Sequence, residues 1–85
     1  HGGIALVEVT LDEDAPAAGR RAADLDLPEG SVVVAVVRDE QVLPAGGSDA
    51  LQPGDEVLAV TTLGSEPALR RALGGQAGGS HTPIA

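Results

Sequence analysis

Ser31-Val32-Val33-Val34-Ala35-Val36-Val37-Arg38-Asp39-Glu40-Gln41-Val42-Leu43-Pro44, followed by Leu51-Gln52-Pro53-Gly54-Asp55-Glu56-Val57-Leu58, decides how this chain folds. The unbroken apolar, mostly β-branched run from Ser31 to Val37 reads as a strand buried on both faces. Arg38-Asp39-Glu40-Gln41 is short enough for a hairpin turn, although it lacks the favoured glycine. The return strand Gln41-Val42-Leu43 is brief and stops at Pro44, which cannot donate to a ladder and so suits an edge. Gln52-Pro53-Gly54-Asp55 has proline second and glycine third, the pattern of a type II turn. It feeds another strand over residues 56–62, with Val57, Leu58 and Val60 apolar.

Outward from this centre, Ile4 to Leu11 alternates, with Val7, Val9 and Leu11 on one face and Glu8 and Thr10 on the other. That is a half-buried strand. Asp12-Glu13-Asp14-Ala15-Pro16 breaks it, and Ala18, Ala22 and Leu25 then fall at i, i+4 and i+7, which predicts a short helix. Leu27-Pro28-Glu29-Gly30 ends that helix, because proline disfavours helical geometry in the residue before it. A second helix is expected after Thr62, with Ser65 as N-cap, Glu66 and Pro67 in the first turn and Gly74 as C-terminal cap. Its apolar stripe is Leu69, Ala72 and Leu73, and Arg70 and Arg71 lie where they complement its dipole. Residues 75–85 read as a flexible tail, and His1-Gly2-Gly3 as a cloning scar or the stub of a longer protein. The ordered domain therefore spans residues 4–74. Its order is strand, helix, strand, strand, strand, helix: an α+β fold with a small, mainly antiparallel sheet and both helices on one face.

Composition sets limits on size and partners. Eighty-five residues make one small domain. Phe, Trp, Tyr and Met are absent, so the core must be built from Val, Leu, Ile and Ala, which bury less area per side chain. Cysteine is absent too, so no disulfide or thiolate site can supplement so small a core. Association with a second copy is the remaining common remedy, and a homodimer is expected. The formal charge of −8 repels nucleic acid and anionic lipid surfaces. No stretch approaches the roughly 20 apolar residues that span a bilayer, no signal peptide is visible, and the lack of cysteine is compatible with a cytoplasmic setting.

No catalytic constellation emerges. His1 and His81 sit at opposite ends, outside the expected ordered core. Ser31, Ser48, Ser65 and Ser80 lack a base within it, so the chain is not expected to be an enzyme. Asp12-Glu13-Asp14 offers oxygen ligands but no spaced calcium loop, and acidic residues ahead of a helix are ordinary capping material. No metal site is expected. No Gly-x-Gly-x-x-Gly or phosphate loop occurs. Three arginines near the sheet remain as candidate ligand contacts. Arg20 and Arg21 could hold an anion but read first as partners of the surrounding carboxylates. Arg38, at a strand end beside Asp39, is the best single polar site.

Taken together in order and spacing, these pieces carry a resemblance. They are Val7-Glu8-Val9, Gly19-Arg20, Leu25-x-Leu27-Pro28, Val36-Val37-Arg38-Asp39, Pro44 and Leu51-Gln52-Pro53-Gly54-Asp55. The chain from about Ile4 to Gly74 resembles the TrkA C-terminal domain family, the C-terminal lobe of regulators of potassium conductance. The resemblance implies a dimerising regulatory lobe that serves a membrane potassium channel or transporter, either as a subunit or covalently linked to a transport domain. In that family the lobe follows a nucleotide-binding Rossmann lobe, which these residues do not include, so NAD or ATP would bind elsewhere in a parent protein and no cofactor is expected here. In some relatives the lobe binds cyclic di-AMP between two copies, through a helix exit and loop that include a phosphate-binding arginine. The corresponding Asp24-Leu25-Asp26-Leu27-Pro28-Glu29-Gly30 has three carboxylates and no arginine. A dianionic ligand would meet repulsion there unless Arg20, Arg21 or Arg38 reached in. Two expectations follow: a passive dimerisation lobe, or a sensor of a cyclic dinucleotide at the dimer cleft.

Overall fold

The computed structural model describes residues 3–47, 49–74 and 81–84, with the backbone only for 81–83. Strand β1 (Ile4–Thr10) runs at once into the sheet, and β2 (Val32–Arg38) and β3 (Gln41–Pro44) form the expected hairpin. Asp39 and Glu40 both have positive φ, 51° and 65°, as a two-residue type I′ turn requires. Strand β4 (Glu56–Thr62) follows the type II turn, where Gly54 has φ 92° and the Asp55 amide donates to the Gln52 carbonyl at 3.1 Å. Helix α1 (Glu66–Leu73) comes next, and β5 (His81–Pro83) closes the order.

These strands form a five-stranded sheet in the order β3-β2-β4-β1-β5, with every pairing antiparallel. The period-2 pattern of β1 behaves as read: Ala5, Val7, Val9 and Leu11 are buried on the inner face. They meet Val57 and Ala59 of β4 and Val36 of β2. Helix α1 covers this face with Leu69 and Leu73, both fully buried. Gly74 ends the helix in the left-handed region, φ 74°, and its amide donates to the Arg70 carbonyl at 2.7 Å. A Cβ there would overlap Pro16 Cδ and come within 3.0 Å of Ala15 Cα, so the helix end seats directly on the segment after β1.

Four expectations need correction. The helix over Ala18–Leu25 is absent: the chain makes a series of turns and one 3-10 turn at Ala22–Asp24. The reason is competition for backbone groups. The Gly19 amide donates to Leu51 at 2.7 Å, the Leu51 amide donates to Arg20 at 2.8 Å, and Arg21 bridges Ala50. Those groups hold the loop before β4 and cannot also serve a helix. The alanines still pack: Ala15 and Ala17 are buried and Ala18 lies against the core.

Second, β2 is not buried on both faces. Val32 and Val34 are 59% and 47% exposed, because no layer among the described residues covers the sheet's outer side. A register shift between Val33 and Ala35 makes Val34 a bulge, so Val33 and Val36 face inward despite their odd spacing. Third, Ser65 sits at the N-cap position but makes no capping hydrogen bond; a 3-10 turn at Leu63–Ser65 leads into α1 instead. Fourth, of the segment read as a tail, His81–Pro83 pairs with β1, while residues 75–80 and 85 lie outside the described residues.

Candidate functional site

The turn chemistry around residues 51–55 gives rise to the most organised polar site. Asp55 closes the type II turn and is 1% exposed, at the mouth of β4. Arg38 ends β2 close by, and its guanidinium meets that carboxylate with two parallel bonds, Nε to Oδ1 and Nη2 to Oδ2, each 2.8 Å. Nη2 also donates to the Ala50 carbonyl at 3.1 Å, and the Gln52 amide donates to Asp55 Oδ2 at 2.8 Å. A fork-to-fork pair of this kind fixes orientation as well as charge. The Arg38 side chain is 21% exposed, so the pair stands at the edge of the core rather than within it.

The electrostatics follow from that geometry. The hydrogen bond from Arg38 holds the Asp55 carboxyl below the usual carboxylate range, against the opposing effect of burial, and the Gln52 amide adds to it. The same bond raises Arg38 above its ordinary value, with smaller contributions from Asp49 and Asp39. Arg38 is therefore a cation already committed to a carboxylate.

Beside it lies a cavity of about 270 Å³, walled by Val36, Arg38, Leu43, Pro44, Asp49 and Leu51 among others. Its lining combines aliphatic surface, one neutralised guanidinium and one further carboxylate. Such a lining suits an uncharged or weakly polar group better than a phosphate.

The other two candidate arginines are placed differently. Arg21 Nε pairs with Asp24 Oδ2 at 2.9 Å on the surface, and Arg20 Nη2 donates to the Asp24 carbonyl at 2.7 Å. Neither lines the cavity, although the backbone of Arg21 meets Ala50, whose carbonyl Arg38 holds. Arg38 alone of the three thus reaches it. Asp55 went unread as a site residue in the sequence, where it looked like turn material. The signal was its position, a carboxylate between a type II turn and a buried strand, one strand over from an arginine. Among the described residues no group of three or more His, Asp or Glu side chains is arranged to hold a metal ion.

With this geometry in view, the TrkA-C domain matches residues 6–74, from the third residue of β1 to the cap of α1. The chain belongs to the TrkA-C domain family. The match includes the hairpin, the turn at 52–55 and both members of the Arg38–Asp55 pair, and it stops short of β5. The chain is also similar to the Trk system potassium uptake protein TrkA of two Mycobacterium tuberculosis strains, CDC 1551 and H37Rv. Identity is 34% over 68 residues in each case, covering 80% of this chain and 31% of each relative. The chain thus spans about a third of the length of the relatives it matches.

Proposed function

We propose that this TrkA-C domain is a non-catalytic regulatory and dimerisation lobe of a potassium transport system, acting on the cytoplasmic side through a membrane channel or transporter. The observation that carries the reading is the family match over residues 6–74 together with the similarity to TrkA potassium uptake proteins. No helix among the described residues is long and apolar enough to cross a membrane.

The outer face of the sheet supports the dimer. Its cross-strand rows are Leu6-Val60-Val32, then Glu8-Leu58-Ala35-Pro44, then Thr10-Glu56-Val37-Val42. Val42 is 72% exposed and Ile4, at the end of the same face, 37%. A chain carrying −8 repels its own kind everywhere except where apolar area is concentrated. This face is where that area lies, and a second copy presents the same face. Two sheets packed face to face in a two-fold arrangement would cover both.

A second reading is a cyclic dinucleotide such as cyclic di-AMP bound between two copies, for which the cavity beside Arg38 offers space on the inner side of the sheet. Its difficulty is charge: Asp55 neutralises Arg38, Asp49 lines the wall, and Arg20 and Arg21 stand outside. The first reading is the stronger. It is tested by grafting the chain in place of the matched segment of a mycobacterial TrkA and measuring potassium uptake at low external potassium, with and without cyclic di-AMP. Uptake restored without the nucleotide supports a dimerisation lobe, and uptake that responds to it supports the sensor. A folded graft that restores no uptake contradicts both.

A further inference from the structure

The two edges of the sheet are finished in the same way. At the β3 edge, the two-residue turn makes Arg38 and Gln41 its closing pair, so Gln41 and Leu43 direct their backbone groups at β2. Val42 and Pro44 therefore point theirs outward. Pro44 has no N–H to offer, and its carbonyl already accepts the Gly47 amide at 3.2 Å. At the opposite edge, the Ile84 amide donates to the Ile4 carbonyl at 2.8 Å. By the alternation of a strand, Thr82 and Ile84 face β1, and His81 and Pro83 face away. Pro83 thus again stands at the outward position, where a donor would be needed to recruit another strand.

Without β5 the situation at β1 would be quite different. Ile4-Ala5-Leu6-Val7-Glu8-Val9-Thr10 is seven residues long, rich in aliphatic side chains, free of proline and singly charged. Ile4 and Leu6 turn their backbone groups toward β5, so its loss would leave them as a template for an extended chain. The residues that cover them lie beyond the family domain, which ends at Gly74.

We propose that His81–Ile84 is an edge cap: it fills the strand-acceptor edge of β1, and when it is displaced that edge accepts an extended strand from a second copy of this chain. The cap directs self-association away from open-ended strand addition, which continues from copy to copy, toward the closed contact available to the sheet face. The cap does not depend on the transport reading, since it follows from backbone pairing alone.

The test compares the full chain with Thr82→Pro, which removes an amide facing β1 at a position outside the family domain. Hydrogen exchange at the Leu6 amide and sedimentation velocity are measured for both. The variant should keep its far-ultraviolet circular dichroism, exchange Leu6 at least about tenfold faster, and form species larger than any the wild type forms. A synthetic peptide of residues 80–85, added in excess, should slow that exchange and suppress the larger species. The assembly should persist when Val32→Asp is added, because it uses the edge and not the face. Unchanged Leu6 exchange in Thr82→Pro would overturn the cap. Faster exchange with neither peptide binding nor larger species would overturn the acceptor edge.

Discussion

Arg38 and Asp55 show how a pair of ordinary surface-type residues comes to organise a domain. The arginine closes a strand and the carboxylate closes a turn, and their two 2.8 Å bonds tie the β2–β3 hairpin to the start of β4. Because Asp55 has its pKa lowered in the folded state, its contribution to stability is complete above the unfolded carboxylate pKa and is lost as pH falls through the lowered value. Asp55→Asn should therefore cost about 2 kcal/mol at pH 7, the scale of a hydrogen bond to a charged group. Below about pH 4 the gap between variant and wild type should narrow, as the unfolded carboxyl is protonated first, and it closes only once pH has fallen through the lowered native value. Urea unfolding at a series of pH values reads this directly, and a gap of equal size at pH 3 and pH 7 would contradict it. The arginine was legible in the sequence as a polar site. Its partner was not, because Asp55 lies 17 positions further along, past hairpin and loop, and only the strand register brings the two together.

At the level of elements, turns were more legible than helices. Proline and glycine impose local backbone geometry, so the type II turn at 52–55 and the helix stop at Gly74 followed from residue type alone. The hairpin appeared despite its lack of glycine, because the flanking strands are strong enough to hold Asp39 and Glu40 at positive φ. The apolar spacing of Ala18, Ala22 and Leu25 misled for the opposite reason. Alanines pack equally well from a chain of turns, and the backbone groups of Gly19–Arg21 found partners in Ala50 and Leu51. The seat of α1 on that chain of turns is tight. Gly74→Ala combines a left-handed backbone with a Cβ that overlaps Pro16, and should destabilise by at least about 2 kcal/mol. Thermal unfolding measures it; a midpoint within a degree of wild type would show that the helix end is free to move off Ala15 and Pro16.

For the whole molecule, the small antiparallel sheet was readable, and so was the family. The side of the sheet left uncovered was not. Continuous β-branched sequence looks the same whether or not the chain's own elements bury the second face, and the described residues leave that face of β2 exposed. A second copy seated on that uncovered face would complete a small aliphatic core that has no aromatics or disulfides. Sedimentation equilibrium of the full chain over a wide concentration range, alongside Val32→Asp, tests it most directly. Val32 is 59% exposed, so the substitution should leave the fold intact while placing a charge on that face. The account predicts a wild-type species of twice the 8.4 kDa chain mass and a dissociation constant raised at least about tenfold in the variant. A wild type that stays at the mass of one chain at every concentration, or a dimer indifferent to Val32→Asp, would contradict it.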